Sequence, residues 1–342
     1  MEPTALLAIV IITVAAFGGT VAVAGAMSLA ERRVSAWMQY RIGPNRVGPF
    51  GLMQPLADLV KFLFKEEVIP AGAHPLLFRL APVLAAVPAM MTFAVVPFGI
   101  GKVTIPGINE SRPLVVADIP VGAIYFLAIG SLGVYGIIIA GWASNSKYSL
   151  LGSVRSGAQM LSYELSLTLS MAAAVLVSGS LQMSEIVKHQ GEHGWNVIYQ
   201  PVAFVIFLIS MFAETNRHPF DFAECEPELV GGFHTEYSSM KFALFFVGEY
   251  SAMVAMSGMI VTLFLGGPLV PFLPIDQTPW WLSILAFAAK TGFFLFFFLW
   301  VRWSLPRFKY DQLMDLGWKK LLPIALLNFA VSGVIVALSS KT

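Results

Sequence analysis

Long apolar segments that are nearly free of charged residues recur along the 342-residue chain. A helix needs about 20 consecutive apolar residues to cross the hydrocarbon core of a bilayer. Water is absent from that core, and a helix satisfies its backbone hydrogen bonds within one segment. These runs predict an all-α polytopic membrane protein that forms a single integral membrane domain over residues 1–342. About eight such spans are expected. They lie at residues 4–29, 76–99, 119–141, 159–179, 198–214, 241–265, 281–301 and 320–338.

Basic residues indicate how these spans are oriented. If the N-terminus lies outside, most of the 21 Lys and Arg residues fall in segments on the inner side. Since Lys and Arg are enriched in cytoplasmic loops, both termini are predicted to face the periplasm. The loop that follows the fifth span, at about residues 214–240, then faces the cytoplasm. In the outer loop before the third span, the β-branched residues at 103–105 and 115–116 are predicted to pair as a hairpin.

Composition excludes several classes of protein. A net charge of +1 gives no electrostatic basis for binding nucleic acid. The single cysteine, Cys225, excludes an internal disulfide and an iron–sulfur cluster ligated only by cysteines of this chain. No metal site is predicted from the 5 histidines.

A short amphipathic segment lies at about residues 52–65, after the first span. Its polar residues, among them Asp58 and Lys61, fall on one helical face, and Leu56, Leu59 and Leu63 belong to the apolar face. The segment is too short and too polar on one side to span a membrane. It is therefore expected to lie in the plane of the interface or to pack against a partner. A plain connector that rests on lipid is the alternative.

The loop at 214–240 is a dense island of charge in a chain that is only 12% charged. Two interpretations compete, namely an ordinary solvated loop and a polar chamber at the membrane edge that handles protons. Its ionisable groups include Glu214, Asp221, Glu224, Glu226, Glu228 and Glu236, with Arg217, His218 and His234 among them.

Ionisable residues also lie within the predicted spans. A charge in hydrocarbon costs roughly 2.5–3.5 kcal/mol on insertion scales, so such residues need partners or a hydrated cavity. Glu164, Glu214 and Glu249 lie on different spans and towards the cytoplasmic side, whereas Lys290 lies near the middle of its span. One interpretation is a chain of carboxylates that exchange protons. The other is structural ion pairing, for example of Lys290 with a buried glutamate.

Several motifs carry a resemblance to a known family. They are ERRVSAWMQYRIGPNRVGPFGLMQPLADLVKFLFKE (31–66), SYE (162–164), AETNRHPFDFAECEPELVGGFHTEYSSMKF (213–242), GEY (248–250) and LWVRWSLPRFKYDQLMDLGWK (299–319). On these motifs the chain resembles the H-type membrane subunits of bacterial NADH:quinone oxidoreductase (complex I), which are equivalent to the mitochondrially encoded first subunit. Cys225 departs from the family pattern, where Gly or Ala is more usual.

The resemblance implies a place at the junction of the redox arm and the membrane arm. There the family forms the entrance and much of the lower wall of a long quinone chamber, framed by the first span, the amphipathic segment and the sixth span. By resemblance, the residues that line or brace the chamber are Arg32, Arg41, Asp58, Arg217, Phe220 and Arg307. The acidic relay that passes protons towards the membrane arm consists of Glu164, Glu214, Glu224, Glu226, Glu228 and Glu249.

The resemblance also implies cofactors and partners. No cofactor is expected on this chain alone, quinone (such as ubiquinone) is the substrate, and FMN and iron–sulfur clusters belong to partner subunits. The expected partners are the quinone-site and iron–sulfur subunits of the peripheral arm, small membrane subunits, antiporter-like subunits and the lipid bilayer. The chain would serve the complex as a non-redox subunit of a translocase in the bacterial inner membrane, coupling quinone reduction to proton translocation.

Two other functions stay open at this stage. The corresponding membrane subunit of a proton-pumping hydrogenase or formate hydrogenlyase-type complex shares a thinner version of the first motif. A free-standing transporter would use the acidic loop for its substrate. The full ETNRxPFDxxExExELVxGFxxEY pattern in this chain favours complex I.

Overall fold

The computed structural model describes residues 3–100, 102–104, 111–271, 273–275 and 278–339. This part of the chain is almost entirely helical, which confirms the predicted all-α class. The α-helices are α1 (Pro3–Met38), α2 (Gln54–Phe64), α3 (Pro75–Met91), α4 (Gly122–Ala143), α5 (Lys147–Ser178), α6 (Met183–His193), α7 (Asn196–Tyr199), α8 (Pro201–Glu214), α9 (Glu226–Leu229), α10 (Ser239–Phe264), α11 (Trp280–Ser304), α12 (Tyr310–Asp315) and α13 (Leu322–Ser339). Short 3-10 turns lie at Pro49–Gly51, Thr92–Val95 and Gly232–His234, and a π-helical stretch lies at Leu316–Leu321.

Seven helical segments in the described part of the chain are long and apolar enough to cross a membrane. The remaining predicted span, 198–214, coincides with α8, an apolar helix of 14 residues that is shorter than these seven. The protein is therefore a polytopic membrane protein, as predicted. Two helices extend further than their apolar cores indicate, since α1 continues to Met38 and α5 begins at Lys147.

Local sequence signals explain where several helices begin and end. Helix α8 starts with Pro201, whose missing N–H would have no partner in the first turn of a helix. Helix α5 ends at Gly179, whose φ of 69° is left-handed and costs glycine little. Its amide donates to the carbonyl of Val175 at 2.8 Å, which closes the last turn.

A small hairpin lies in the loop before α4. Strand β1 (Lys102–Thr104) pairs antiparallel with β2 (Ser111–Pro113), in a register that places Val103 opposite Arg112. The prediction of a second strand at 115–116 is wrong, and Ile105 of the first predicted strand lies outside the described residues. Val115 is buried instead, and the carbonyl of Leu114 accepts a hydrogen bond from the amide of Phe98 at 3.1 Å. Burial against the helices thus outweighs strand pairing for these residues.

The spans pack closely around α10, whose C-terminal half is almost completely buried. Helices α3 and α4 approach so closely that a Cβ at Gly136 would lie 2.4 Å from the backbone nitrogen of Ala85. Small residues permit such backbone contact between membrane helices, where lipid supplies no hydrophobic driving force for association. The close packing fixes the frame on which the loop between α8 and α10 rests.

The predicted amphipathic helix is present as α2, and none of its residues is buried. Its apolar face, which includes Leu56, Leu63 and Phe64, is exposed. The polar face is attached to α1, because Asp58 lies 2.8 Å from the guanidinium of Arg32. At the other end of α2, the hydroxyl of Ser239 donates to the carbonyl of Phe62 at 2.9 Å. This helix is therefore held by its polar contacts and presents its apolar face outward.

Candidate functional site

The acidic loop between α8 and α10 folds into the body of the protein instead of extending into solvent. Arg217, Phe220 and Phe222 are all at least nine-tenths buried. Side chains of α5 hold the start of the loop, since the amide of Gln159 donates to the carbonyl of Ala213 at 2.7 Å. The loop therefore forms a fixed wall next to the membrane-spanning helices.

Gly232 makes this compact loop possible. Its φ is 57°, in the left-handed region, and a Cβ there would lie 1.7 Å from the carbonyl oxygen of Ala223. Gly152 of α5 lies against the same turn, where a Cβ would approach the Cα of Gly232 to 2.9 Å. Two glycines thus let the far end of the loop close onto α5.

A cluster of buried ionic groups joins the loop to three spans. Glu31 of α1 lies 3.3 Å from Nη1 of Arg217 in the loop, and it also pairs with Arg302 of α11. Glu249 of α10 lies 2.6 Å from Nε of Arg217. The hydroxyl of Tyr250 donates to Glu31 at 2.7 Å, and its ring centroid lies 4.6 Å from the Arg217 guanidinium. We call these five residues, Glu31, Arg217, Glu249, Tyr250 and Arg302, the buried charge cluster.

The cluster contains two guanidinium groups and two carboxyl groups. Burial lowers the pKa of Arg217, but the carboxylates of Glu249 and Glu31 outweigh burial and raise that pKa well above its ordinary value. Arg217 therefore stays charged, and both carboxyl groups compete for its N–H donors. Buried charges persist only when they are paired in this way.

A cavity of about 90 Å³ lies beside the cluster, and Glu214, Glu224 and Glu249 all line it. Its volume is sufficient for several water molecules, because one water needs a cavity of about 10–15 Å³ when volume is measured in this way. One carboxyl oxygen of Glu214 is buried and has no hydrogen-bond partner among the described residues. Buried polar atoms normally have a protein or water partner. The cavity thus brings three predicted relay carboxyls to a common space that water can occupy.

Glu164 and Glu224 have specific partners near this cavity. Glu164 of α5 accepts a hydrogen bond from the hydroxyl of Ser131 on α4. Glu224 lies 3.1 Å from Nε2 of His234. Burial raises the pKa of Glu224, but His234 and Arg217 outweigh burial and hold it below its ordinary value. His234 and Arg217 therefore favour the ionised form of Glu224.

On the other side of the loop, aromatic rings surround Phe220. Its ring stacks on Phe308 with centroids 5.6 Å apart, and it also contacts the ring of Tyr163 of α5. Nearby, Arg307 pairs with Asp221 at 2.8 Å. Burial, with a contribution from Glu224, raises the pKa of Asp221 to about 6. This side of the loop therefore packs aromatic rings beside Asp221, a carboxyl group whose pKa is raised by burial.

The remaining predicted site residues lie elsewhere. Arg32 and Asp58 pair with each other between α1 and α2. Arg41 is exposed and donates to Gln39. Glu228 is exposed and pairs with Arg155 at 2.5 Å, so it does not reach the cavity. Glu226 opens α9, and its side chain lies outside the described part of the chain.

Lys290 has partners that the sequence did not predict. Its ammonium donates to the carbonyls of Leu265, Gly267 and Leu269, at 2.7, 3.0 and 2.7 Å, and lies 4.8 Å from the ring of Trp195. The suggested ion pair with a buried glutamate is therefore wrong. The lysine caps the segment that follows the C-terminal end of α10, where a positive charge is favourable.

Two members of the site, Glu31 and Arg302, are not among the residues predicted from sequence. In the sequence, Glu31 and Arg302 each lie just after the end of a predicted apolar span. Glu31 is 8% exposed although it lies within α1, well before the end of that helix. A carboxylate inside an apolar helix is the signal that would have identified it. Among the described residues, no group of three or more His, Cys, Asp or Glu could hold a metal ion.

Comparison with known proteins gives consistent matches along the chain. The sequence profile of a family described as NADH dehydrogenase matches residues 8–333. A Geobacter metallireducens protein named as the H 1 subunit of NADH-quinone oxidoreductase is 54% identical over 98% of this chain and 95% of its own length. The protein named as the H 2 subunit in Geobacter sulfurreducens is 54% identical over 97% and 94%. A Rhodothermus marinus protein named NADH-quinone oxidoreductase subunit 8 is 48% identical over 98% of both chains.

Proposed function

This chain belongs to the NADH dehydrogenase family, and on that premise we propose that it is the H-type membrane subunit of a proton-translocating NADH:quinone oxidoreductase. In this role it forms part of the quinone chamber and carries an acidic relay that couples quinone reduction to proton translocation. The relatives in both Geobacter species support the assignment, because their names specify this subunit and they align over almost the whole chain.

The observation that carries the proposal is the contact between the buried charge cluster and the cavity. Glu249 belongs to both, since it pairs with Arg217 at 2.6 Å and also lines the cavity with Glu214 and Glu224. A change of charge near Arg217 therefore acts directly on Glu249, whose carboxyl group lines a cavity that water can occupy. This geometry supplies a physical link between a ligand-binding surface and a proton path.

The face around Phe220 is suited to a quinone head group. Arg307 and Asp221 pair beside the stacked rings of Phe220 and Phe308, so a head group bound there would meet both aromatic and hydrogen-bonding groups. Ligand pockets commonly combine an apolar lining with a few polar groups that fix orientation. We assign Phe220, Arg217 and Arg307 to the quinone side, and Glu164, Glu214, Glu224 and Glu249 to the proton side.

Reduction of a quinone to a quinol consumes two electrons and two protons. The electrons come from a redox centre on a partner subunit, and residues of this chain orient the head group and move protons. Negative charge that develops on the head group attracts Arg217 and weakens its pairing with Glu249. Glu249 is then free to take up a proton from water in the cavity. Coupling of this kind requires only that both groups compete for one guanidinium.

We also propose how the chain is oriented in the membrane and which subunits surround it. The exposed apolar face of α2 would lie at the membrane surface near the chamber entrance, with subunits of the peripheral arm above it. We place both termini in the periplasm of a bacterial inner membrane, on the distribution of Lys and Arg. Other membrane subunits, including antiporter-like ones, would receive the output of the relay.

The test is Arg217→Ala in the intact complex, with Arg155→Ala as the matched control. Arg155 lies on α5 and pairs with the exposed Glu228 of the same loop. Because Arg217 is the shared partner of Glu31 and Glu249, Arg217→Ala should lower quinone-linked NADH oxidation and proton pumping by about tenfold or more, which corresponds to about 1.4 kcal/mol in the activation barrier. NADH oxidation by a water-soluble artificial acceptor should stay at the level of Arg155→Ala.

Two results would contradict the proposal. Normal quinone reduction in Arg217→Ala would remove this residue from the quinone side. Parallel loss of both NADH oxidation assays, together with loss of assembled complex on native gels, would assign Arg217 a role in assembly alone.

A further inference from the structure

A tight turn joins the end of α8 to the buried charge cluster. Helix α8 ends at Glu214, and Asn216, two positions later, has a left-handed φ of 50°. The amide of Asn216 donates to the carbonyl of Ala213 at 3.3 Å. The next amide, that of Arg217, donates to the carbonyl of Phe212 at 3.1 Å. These two bonds form a Schellman motif, which ends a helix through one left-handed residue and defines the path of the chain beyond it.

The side chain of Asn216 anchors this turn to α5. Its Oδ1 accepts hydrogen bonds from the hydroxyl of Ser156 at 3.0 Å and from Nε2 of Gln159 at 3.2 Å. The same Nε2 donates to the carbonyl of Ala213 at 2.7 Å. It is therefore a donor, so the atom of Asn216 that faces it is the oxygen. Ser156 and Gln159 are completely buried, and the anchor thus lies inside the protein.

Asparagine combines two properties that this position requires. Most L residues are strained in the left-handed conformation, which glycine adopts freely and asparagine more readily than others. Glycine would preserve the turn, but it has no side-chain oxygen for the two donors of α5. Alanine would lack that oxygen and would also be strained. The side chain of Asn216 is therefore the part of the residue that ties the turn to α5.

The turn determines how the two sides of the site are placed. Only two residues separate Glu214 from Arg217. Glu214 and Asn216 line the cavity together with Glu249, and Glu249 pairs with Arg217 at 2.6 Å. We propose that Asn216 is a positioning residue, whose side-chain oxygen holds Arg217 in a fixed relation to Glu214. The inference rests on the proposed function, because it assigns Asn216 to the link between quinone reduction and proton uptake.

Asn216→Gly tests the proposal, because it keeps the left-handed turn and removes only the anchor. Quinone-linked NADH oxidation and proton pumping are measured in the same vesicles, with the intact complex. The number of protons pumped per quinone reduced should fall by about twofold or more, the lower limit for the loss of one hydrogen bond. A purely structural role would instead lower the amount of assembled complex and leave this ratio unchanged in the complex that assembles.

Gln159→Met is a second variant at the same contact. Methionine has a similar length but no donor, so the ratio should fall as it does in Asn216→Gly. Since both changes remove one anchor, the double variant should lower the ratio by less than the product of the two single effects. If one single variant does not assemble on native gels, the other decides the question.

Asn145→Gly is the matched control. Asn145 follows the end of α4 and has the same left-handed φ of 50°. It is exposed and does not line the cavity. The same substitution at the same backbone conformation should therefore keep the wild-type ratio and the wild-type amount of assembled complex.

Two outcomes overturn the proposal. One is a wild-type ratio in the assembled Asn216→Gly or Gln159→Met complex, and the other is failure of both variants to assemble, which would leave the anchor a structural role alone. Glu214→Gln in the same assay separates these results from failure of the proposed function. Normal pumping in Glu214→Gln would contradict the relay itself, whereas reduced pumping there with a wild-type ratio in Asn216→Gly would remove Asn216 alone.

Discussion

Replacement of Lys290 by methionine separates a structural role from a role in proton transfer. The ammonium group donates to three backbone carbonyls that follow the end of α10, at 2.7, 3.0 and 2.7 Å. Methionine has a similar length and flexibility but no donor. Lys290→Met therefore leaves the carbonyls of Leu265, Gly267 and Leu269 without this partner and also removes the contact with the ring of Trp195.

The expected cost follows from these contacts. A buried carbonyl that loses its partner costs about 1–3 kcal/mol. At the lower value for each of three carbonyls, Lys290→Met destabilises the protein by about 3 kcal/mol. A cation–π contact adds about 0.5–1 kcal/mol at a partly exposed site. Since the total stability of a typical domain is only about 5–15 kcal/mol, assembly of the complex should suffer.

The assay compares the amount of assembled complex, its thermal stability and its pumping per assembled complex. Lys290→Met should reduce the first two, and the complex that does assemble should pump protons normally. Lys290→Arg keeps a charged donor and should retain more assembled complex than Lys290→Met. A change at Glu249 should not rescue Lys290→Met, because Glu249 pairs with Arg217. Normal stability combined with lost pumping would refute this reasoning and place Lys290 in the relay.

Two further predictions concern the carboxyl groups of the site. Because burial raises the pKa of Asp221 to about 6, its contribution to stability is greatest at low pH and is lost as pH rises through about 6. Asp221→Asn should therefore gain thermal stability relative to wild type between pH 5 and pH 7, and the opposite trend would mean that pairing with Arg307 outweighs burial. Glu214→Gln should sharply reduce proton pumping, whereas Glu185→Gln, whose parent residue pairs with Lys188 on the exposed surface of α6, should pump like wild type. Equal pumping by these two variants would remove Glu214 from the relay.

The spans could be predicted from sequence because hydropathy is a property of one continuous segment. The amphipathic helix α2 was predictable for the same reason, since its two faces follow from local spacing. Helix α5 extends further than predicted because its first turns are polar or small and pack against the loop, as Gly152 does against Gly232. A hydropathy pattern does not detect helix that is stabilised by such protein contacts.

Contacts between distant segments were beyond prediction from a single sequence. Glu31 and Arg217 are 186 positions apart, and no local sequence pattern indicates that they pair. The partners of Lys290 are backbone carbonyls, which leave no side-chain pattern at all. Glu228 is grouped with the relay in sequence because it shares a motif with Glu224. Composition could not reveal that one side chain turns towards Arg155 at the surface and the other towards His234 and the cavity.

The position of Arg217 explains why quinone chemistry and proton uptake would be linked without a large movement of the backbone. Glu31 and Glu249 lie on different spans and share this one guanidinium. At an effective dielectric constant of 20, two unit charges 4 Å apart interact by about 4 kcal/mol. A new negative charge near Arg217 would therefore change its pairing with Glu249 by an energy of that order, which is enough to move a proton between Glu249 and water in the cavity. Under the proposed function, Arg217 is the residue through which a charge on the quinone side determines the protonation of the first carboxyl group on the proton side.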